Sequence, residues 1–279
     1  MAKPFIGSEA LAAHSLTPYA LRSRFTPLYP NVYLPEGTEV TAAARAHAAW
    51  LWSGRRGVVA GRSAAALHAS RWVDHRLPAQ LLWDNRHAPA AIETWSDAYR
   101  DDELAVIDGM TVTNPVRTAL DIACRSRLGP GVAAIDALAR ATRLRLSDVD
   151  DIARRYRGRR GIRTARSILQ LVDAGAESPR ETWLRLLLIR AGFPRPKTQI
   201  PVHNEFGVVV AVLDMGWEDR KIAAEYDGDH HRTSRRTFYN DIRRAEDVTE
   251  LGWIHIRVTV QDTEGSILRR VRDAFARRT

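Results

Sequence analysis

Apolar positions recur at helical spacing along much of the chain, and several runs carry their own start signals. Over the first 36 residues Leu11, Leu16, Tyr19, Ala20 and Leu21 supply a compact apolar set. Ser8 is placed to cap a helix running through Leu11 to His14. Thr17-Pro18 reads as an N-cap with proline at the first helical position, opening a helix to Arg24. Leu28 to Leu34 reads as a strand or wing that closes at Pro35-Glu36-Gly37. Residues 1–36 therefore predict a small helix-turn-helix or winged-helix unit, with Arg22 and Arg24 on its exposed side. A second helix laid in a major groove is one use of such a unit; packing or oligomerisation is the other.

Residues 37–128 predict a mixed α+β region. Ala42 to Trp52 is an alanine-rich helix ended by Ser53-Gly54, and a second helix runs through His68 with Ser63 as its cap. The short alternating segments 79–83, 93–95, 105–107 and 110–112 predict a small antiparallel sheet turning at Asp108-Gly109. Thr113-Asn114-Pro115 then caps a helix to about Arg125. Trp50, Trp52, Trp72, Trp83 and Trp95 are spaced as core residues more than as base-stacking platforms. Residues 129–175 predict a helical, arginine-rich linker, with amphipathic helices over 132–141 and 147–156 and a hinge at 173–176.

Residues 176–279 carry the sharpest pattern. Ser178-Pro179 starts a helix whose stripe is Leu184, Leu187, Leu188 and Ala191, closed by Gly192. Strands follow at 199–203, 208–214 and 221–226, then a helix over 235–251. The strand 253–260 alternates Ile254, Ile256, Val258 and Val260 against His255, Arg257 and Thr259, and a basic helix closes the chain. The first apolar strand ends in Asp214 and the next in Glu225, Asp227, Gly228 and two histidines. If these strands pair as a hairpin, Asp214 approaches Glu225. Acidic oxygens beside imidazole suit a divalent metal site or an acid–base site; a turn of solvated carboxylates is the plainer alternative.

Composition narrows the partners. The 279 residues are 45% hydrophobic and 27% charged, ordinary for a soluble protein with a core. No apolar run approaches a membrane span and the N-terminus lacks a signal peptide's apolar segment, so a cytoplasmic protein with no membrane partner is expected. The single cysteine, Cys124, excludes an intrachain disulfide and reads as a small buried hydrophobe. The net charge of +9 and pI near 10.2 point to polyanions. Lysine occurs only at Lys3, Lys197 and Lys221, so arginine, whose planar fork suits phosphate, carries the charge. Arg154 to Arg166 holds seven arginines and no acid. It is either a phosphate-contacting segment or a solvated helix end and loop.

Glu181 on a helix, Asp214 ending a strand, Glu225-Tyr226-Asp227-Gly228 ending the next, His231, Asp241 with Arg244, and Gly252-Trp253 before a strand resemble the PD-(D/E)XK nuclease superfamily. The resemblance is to the very-short-patch-repair endonuclease branch and covers about a hundred residues. Residues 1–130 more weakly resemble the winged-helix antitoxin and regulator component of AbiE abortive-infection systems. The matching pieces are Gly7-Ser8-Glu9-Ala10, Pro30-Asn31-Val32-Tyr33, Gly61 to Ala65, and Gly109 through Val112-Thr113 to Arg117-Thr118-Ala119-Leu120-Asp121.

The resemblance implies an α/β multidomain protein: an N-terminal winged helix, a mixed α+β middle, a helical linker and a C-terminal restriction-endonuclease-like α/β/α domain. It implies Mg²⁺ or Mn²⁺ held by Asp214 and Glu225 with Glu181 completing the site, His231 as general base or leaving-group acid, and Asp241 and Arg244 in support, alternatively as an intrahelical ion pair. The superfamily's usual lysine is Asp227 here, and Lys221 lies about 13 Å from Glu225 along an extended strand. Asp227 then becomes a further ligand, with His231 or Arg244 in the lysine's place. Tyr19, Arg22, Arg24, Arg154, Arg155, Arg157, Arg159, Arg160 and Arg163 form the expected contact set for DNA, double-stranded first of all, and a homodimer is an open option. Three functions follow: a metal-dependent DNA endonuclease or nickase, a non-catalytic antitoxin-like DNA-binding regulator with a degenerate nuclease fold, and, more weakly, RNA cleavage within a toxin or phage-defence system.

Overall fold

The computed structural model describes residues 3–228 and 244–278. It is an α/β chain that divides into two compact units, Met1–Val172 and Asp173–Thr279.

The first unit opens with β1 (Phe5–Ile6), α1 (Gly7–Ala12), α2 (Pro18–Arg24), β2 (Phe25–Tyr29) and β3 (Val32–Pro35). The strands form an antiparallel sheet in the order β1-β3-β2. Thr17 caps α2 as its sequence predicts, its hydroxyl accepting from the Ala20 amide at 3.1 Å. Ser8 does not cap α1; the helix starts at Gly7, and the Ser8 amide and hydroxyl both bond the Asn31 side chain. The expected single strand over 28–34 is a hairpin, because Asn31 takes φ +62° and turns the chain back.

Helix α3 (Ala42–Trp52), capped by Thr41, packs on this sheet, and its small buried alanines let the backbones approach closely. Strands β4 (Val58–Val59), β5 (Ala79–Leu82), β6 (Ile92–Trp95), β7 (Leu104–Ile107) and β8 (Met110–Thr113) form a five-stranded sheet ordered β6-β5-β4-β8-β7. The sheet is mixed and not antiparallel as expected: β5 pairs β6, and β4 pairs β8, in parallel. Between β4 and β5 lies α4 (Gly61–Leu67). Ser63 sits inside α4, where its hydroxyl accepts from the Gln80 amide at 2.9 Å, and so is not its cap. Tyr29, Val32, Ala46, Leu81 and Val112 belong to one core, so residues 1–36 and 37–128 are not separately cored.

The predicted linker is not one. Helices α5 (Pro115–Arg125), α6 (Leu128–Thr142), α7 (Leu146–Arg155) and α8 (Ile162–Leu169) bury Leu120, Ile135, Leu138, Val149 and Ile168 completely and belong to the first unit. Their apolar faces pack against each other, and α5 also packs on α4 and β8, which ties residues 128–172 to the elements before them. Arg117 at the start of α5 is fully buried between Glu103 and Asp121.

The second unit begins with α9 (Pro179–Arg190), capped by the Ser178 hydroxyl, which accepts from the Glu181 amide at 3.2 Å. Strands β9 (Lys197–His203), β10 (Val209–Trp217), β11 (Ile222–Tyr226) and β12 (Ile254–Val258) form a sheet in the order β12-β11-β10-β9. The β9–β10–β11 meander is antiparallel, whereas β11 and β12 run parallel. A helical stretch at 244–250 (α10) and α11 (Glu264–Ala276) complete it. Alternation along β11 sorts the layers: Ile222 and Ala224 pack with Leu184, Leu188, Ile267 and Val271, while Ala223 packs with Val248 of α10. Three expectations change here. Asp214 lies inside β10, which runs on to Trp217. Lys221 is a left-handed turn residue at φ +48° before β11, and Ala191 is exposed while Arg185 is buried in α9.

Candidate functional site

The parallel pair β11–β12 ends at Tyr226 and Val258, and a cavity of about 250 Å³ opens beside those ends. Crevices at the carboxyl ends of parallel strands are common ligand sites. Glu177, Glu181, Asp214, Glu225, Asp227, Arg244, His255 and Arg257 supply its polar lining.

The β10–β11 register brings the two strand carboxylates together. Met215 pairs Ala224, and one step further the Asp214 amide donates to Glu225 Oε1 at 3.3 Å while the Tyr226 amide donates to Asp214 Oδ2 at 3.2 Å. Glu181 stands in the first turn of α9, where its Oε2 accepts from the Glu177 amide at 2.8 Å. Burial first, and then the nearby carboxylates of Glu181 and Glu225, push the Asp214 carboxyl up to about 7 against the pull of the Tyr226 amide and Arg244.

Glu225 has the opposite balance. Burial raises its carboxyl, but His255 and Arg244 outweigh burial and hold it below the usual range. His255 Nε2 lies 2.5 Å from Glu225 Oε2, and Arg244 Nη2 donates to Glu225 Oε1 at 2.6 Å and to the Val212 carbonyl at 2.5 Å. Two adjacent carboxyls in one cavity are thus pushed to opposite protonation behaviour, the pattern expected where one group holds a proton that its neighbour has lost.

The donors that a divalent cation takes are adjacent here: Asp214 with its crowded carboxyl, Glu225 and Glu181. Among the described residues, however, no group of three or more His, Cys, Asp or Glu side chains stands in a geometry that would hold a metal ion. Both Glu225 oxygens already face cationic or imidazole partners. The donor chemistry of these three carboxyls fits a cation.

Of the residues singled out in the sequence, Glu181, Asp214, Glu225, Asp227 and Arg244 share this cavity. Asp227 lines the same cavity as the other acids, and Arg257 Nη2 donates to its Oδ2 at 2.6 Å. Lys221 turns its Nζ to the Leu251 carbonyl at 3.0 Å. His231 and Asp241 lie outside the described residues, and Arg244 Nη2 donates to Glu225 Oε1. His255 and Arg257 were not expected. The alternation of 253–260 puts them opposite the apolar face, and the register Ala223↔His255 and Glu225↔Arg257 brings that face to the carboxylates.

The expected DNA contacts divide. Tyr19 is 76% exposed on α2, and Arg22 and Arg24 are exposed with it. Arg154, Arg157, Arg160 and Arg163 are exposed, Arg154 being paired with Asp151. Arg155 bonds Glu103 at 2.7 Å. Arg159 is a correction: its side chain is 6% exposed and its Nη2 sits 2.7 Å from both Asp97 and Asp121, which makes it an internal ion-pair group. Among the described residues no helix is long and apolar enough to cross a membrane.

Two uncharacterized proteins of Mycobacterium tuberculosis, from strains CDC 1551 / Oshkosh and ATCC 25618 / H37Rv, are each 34% identical to this chain over 156 residues. The match covers 56% of this chain and 57% of each relative, so the chain spans little more than half the length of the curated relatives it matches. No family model matches the chain. No solved structure matches it.

Proposed function

We propose that the second unit is a metal-dependent nuclease that hydrolyses DNA phosphodiester bonds as an endonuclease or nickase. The observation that carries this reading is the Asp214–Glu225 pair across β10 and β11, with Glu181 and Arg244 in the same cavity. Together with the resemblance to the PD-(D/E)XK superfamily, it supports a restriction-endonuclease-like site whose lysine is replaced by Arg244. Phosphodiester hydrolysis needs an activated water and neutralisation of charge on the phosphorus centre, and Mg²⁺ or Mn²⁺ supplies both when bound. Asp214 and Glu225 would hold the ion, with Glu181 in support. Arg244 and Arg257 would face the phosphate, and His255 would take up or return a proton beside Glu225. The exposed α2 face with Tyr19, Arg22 and Arg24, and the exposed arginines Arg154, Arg157, Arg160 and Arg163, would hold duplex DNA, the first as part of a winged helix.

Supercoiled plasmid and oligonucleotide duplexes incubated with the protein and Mg²⁺ or Mn²⁺ test this. Wild type should cut, while Asp214→Ala and Glu225→Ala should bind DNA without cutting. Equal cutting by the variants and wild type would trace the activity to a contaminant and end the assignment. One observation favours a second reading: Glu225 is bonded by Arg244 and lies in contact with His255 in a closed charge arrangement. That suits a non-catalytic DNA-binding regulator built on a degenerate nuclease fold. Salt-sensitive DNA binding without cleavage under either metal selects it.

A further inference from the structure

A second polar cavity, of about 580 Å³, lies in the first unit where the end of β6, the end of α5, the start of α6 and the loop before α8 meet. Its lining is unusually basic: Arg125, Arg127, Arg159 and Arg160, with Ser96, Ser126, Trp95, Cys124 and a single acid, Asp97. Asp97 is already opposed by Arg159 at 2.7 Å, and Arg125 by Glu93. Arg127 and Arg160 are exposed and show no ion pair among the described residues.

Two buried donors at this cavity are left over. Arg159, with a side chain 6% exposed, has an Nη1 without a hydrogen-bond partner among the described residues, and the Trp95 Nε1 is likewise unpartnered. Buried donors are almost always satisfied, so orphans at a cavity wall point to an acceptor that enters it. Arg127 is also the N-cap residue of the fifteen-residue α6, which has no side-chain cap. The positive end of that helix, beside Arg127, adds to the attraction for an oxyanion.

We propose that this cavity binds the phosphate of a nucleotide, with Arg127 and Arg160 as the entering charges and Arg159 and Trp95 as the inner donors. The chemistry follows from the lining: planar guanidinium forks match phosphate oxygens, and the serine hydroxyls suit a sugar. The volume exceeds what inorganic phosphate alone fills and accommodates a nucleoside monophosphate. A free nucleotide and the backbone of a nucleic acid present the same group. The site is independent of the carboxylate cavity and stands whether or not the second unit cuts DNA; it shares Arg160 with the proposed duplex contacts, and dependence on Arg127 as well as Arg160 is what marks the cavity.

Isothermal titration of the full-length protein with AMP, and fluorescence anisotropy with a short labelled duplex, test it. Arg127→Ala and Arg160→Ala are compared with Arg272→Ala, an exposed arginine of the other unit. Thermal unfolding verifies that all three remain folded. Loss of one charge-assisted contact is expected to weaken binding about tenfold. Saturable AMP binding weakened by the first two variants and unchanged in Arg272→Ala identifies a free-nucleotide site. Duplex binding weakened in the same pattern, with AMP silent, identifies a backbone phosphate. Absence of saturable binding by both probes, or affinities within twofold across all variants, overturns the proposal.

Discussion

Asp214 and Glu225 are fixed by each other's strands: the Asp214 amide donates to Glu225 Oε1 at 3.3 Å, and the Tyr226 amide beside Glu225 donates to Asp214 Oδ2 at 3.2 Å. The crossed bonds keep both carboxyls facing one cavity, so that neither relieves the charge of the other by turning away. Arg244 and His255 neutralise Glu225, while Asp214, with Glu181 near it, keeps the crowding.

Stability should fall as pH rises toward neutrality. In the folded chain the Asp214 carboxyl holds its proton up to about 7, whereas at its ordinary value of 3.8 the unfolded chain has already lost it. The folded state therefore binds more protons across that window, and each step upward in pH costs stability until about pH 7. The full cost is on the order of 4 kcal/mol. Glu225 acts on the other side: held low in the fold, it contributes stability above its ordinary value of 4.5 that is lost as pH falls further. Chemical unfolding at pH 5 and pH 8 should show a larger loss for wild type than for Asp214→Asn. Parallel loss in both proteins would remove Asp214 as the titrating group.

Divalent metal should bind better as pH rises, because Asp214 must give up its proton before it can ligate. Calorimetric titration with Mg²⁺ or Mn²⁺ should show affinity rising about fivefold between pH 6 and pH 7 and about tenfold by pH 8, with proton release on binding, and flattening above pH 8. Asp214→Asn should lose the pH dependence together with the affinity. A Mg²⁺ affinity equal at pH 6 and pH 8 would mean that the ion sits elsewhere. The measurement needs no DNA and does not depend on turnover.

How much of this was legible beforehand depends on how local each signal is. Thr17, Asn114 and Ser178 act as caps because capping is a contact three residues long, written in the sequence itself. Asp214 and Glu225 stood out because each follows an apolar run. His255 did not, since its place beside Glu225 depends on the parallel register of β11 and β12, which no short window contains. The burial of Arg159 is hidden for a related reason. An arginine in an arginine-rich stretch reads as solvated, and the acids that hold it, Asp97 and Asp121, come from distant segments. The two-residue strand β4 is too short to show any alternation, so its central place in the sheet and its parallel pairing with β8 leave no local signal.

His255 is predicted to matter for cleavage as much as a carboxylate does. With Nε2 at 2.5 Å from Glu225 Oε2, it is placed both to orient that carboxylate and to carry a proton in the cavity. His255→Ala should lower the single-turnover cleavage rate about a hundredfold, the usual contribution of a positioned acid or base, while leaving duplex affinity within twofold. Arg257→Ala, which frees Asp227, should instead weaken DNA binding with a smaller effect on the rate. A His255→Ala enzyme that cuts at the wild-type rate would return the proton-transfer role to a residue outside those described.

The first unit carries its own testable charge in Arg117. Its fully buried guanidinium bonds Glu103 at 2.6 Å and Asp121 at 2.9 Å, and the Tyr156 hydroxyl donates to both Glu103 oxygens at 2.9 Å. Removing the cation leaves two buried carboxylates facing each other with only Arg155 and Arg159 to offset them. Arg117→Met should therefore cost about 3–5 kcal/mol, far beyond the effect of an exposed pair such as Lys3–Asp108. Because the two units need not unfold together, amide exchange within residues 115–125 is the appropriate readout. Protection there should fall in Arg117→Met and stay unchanged in Lys3→Ala. Replacing Glu103 and Asp121 by Gln and Asn in the same chain should recover part of the loss, since the uncompensated charge is what the methionine variant exposes. Unchanged exchange in Arg117→Met would show that the buried cation is neutral in its net effect on folding.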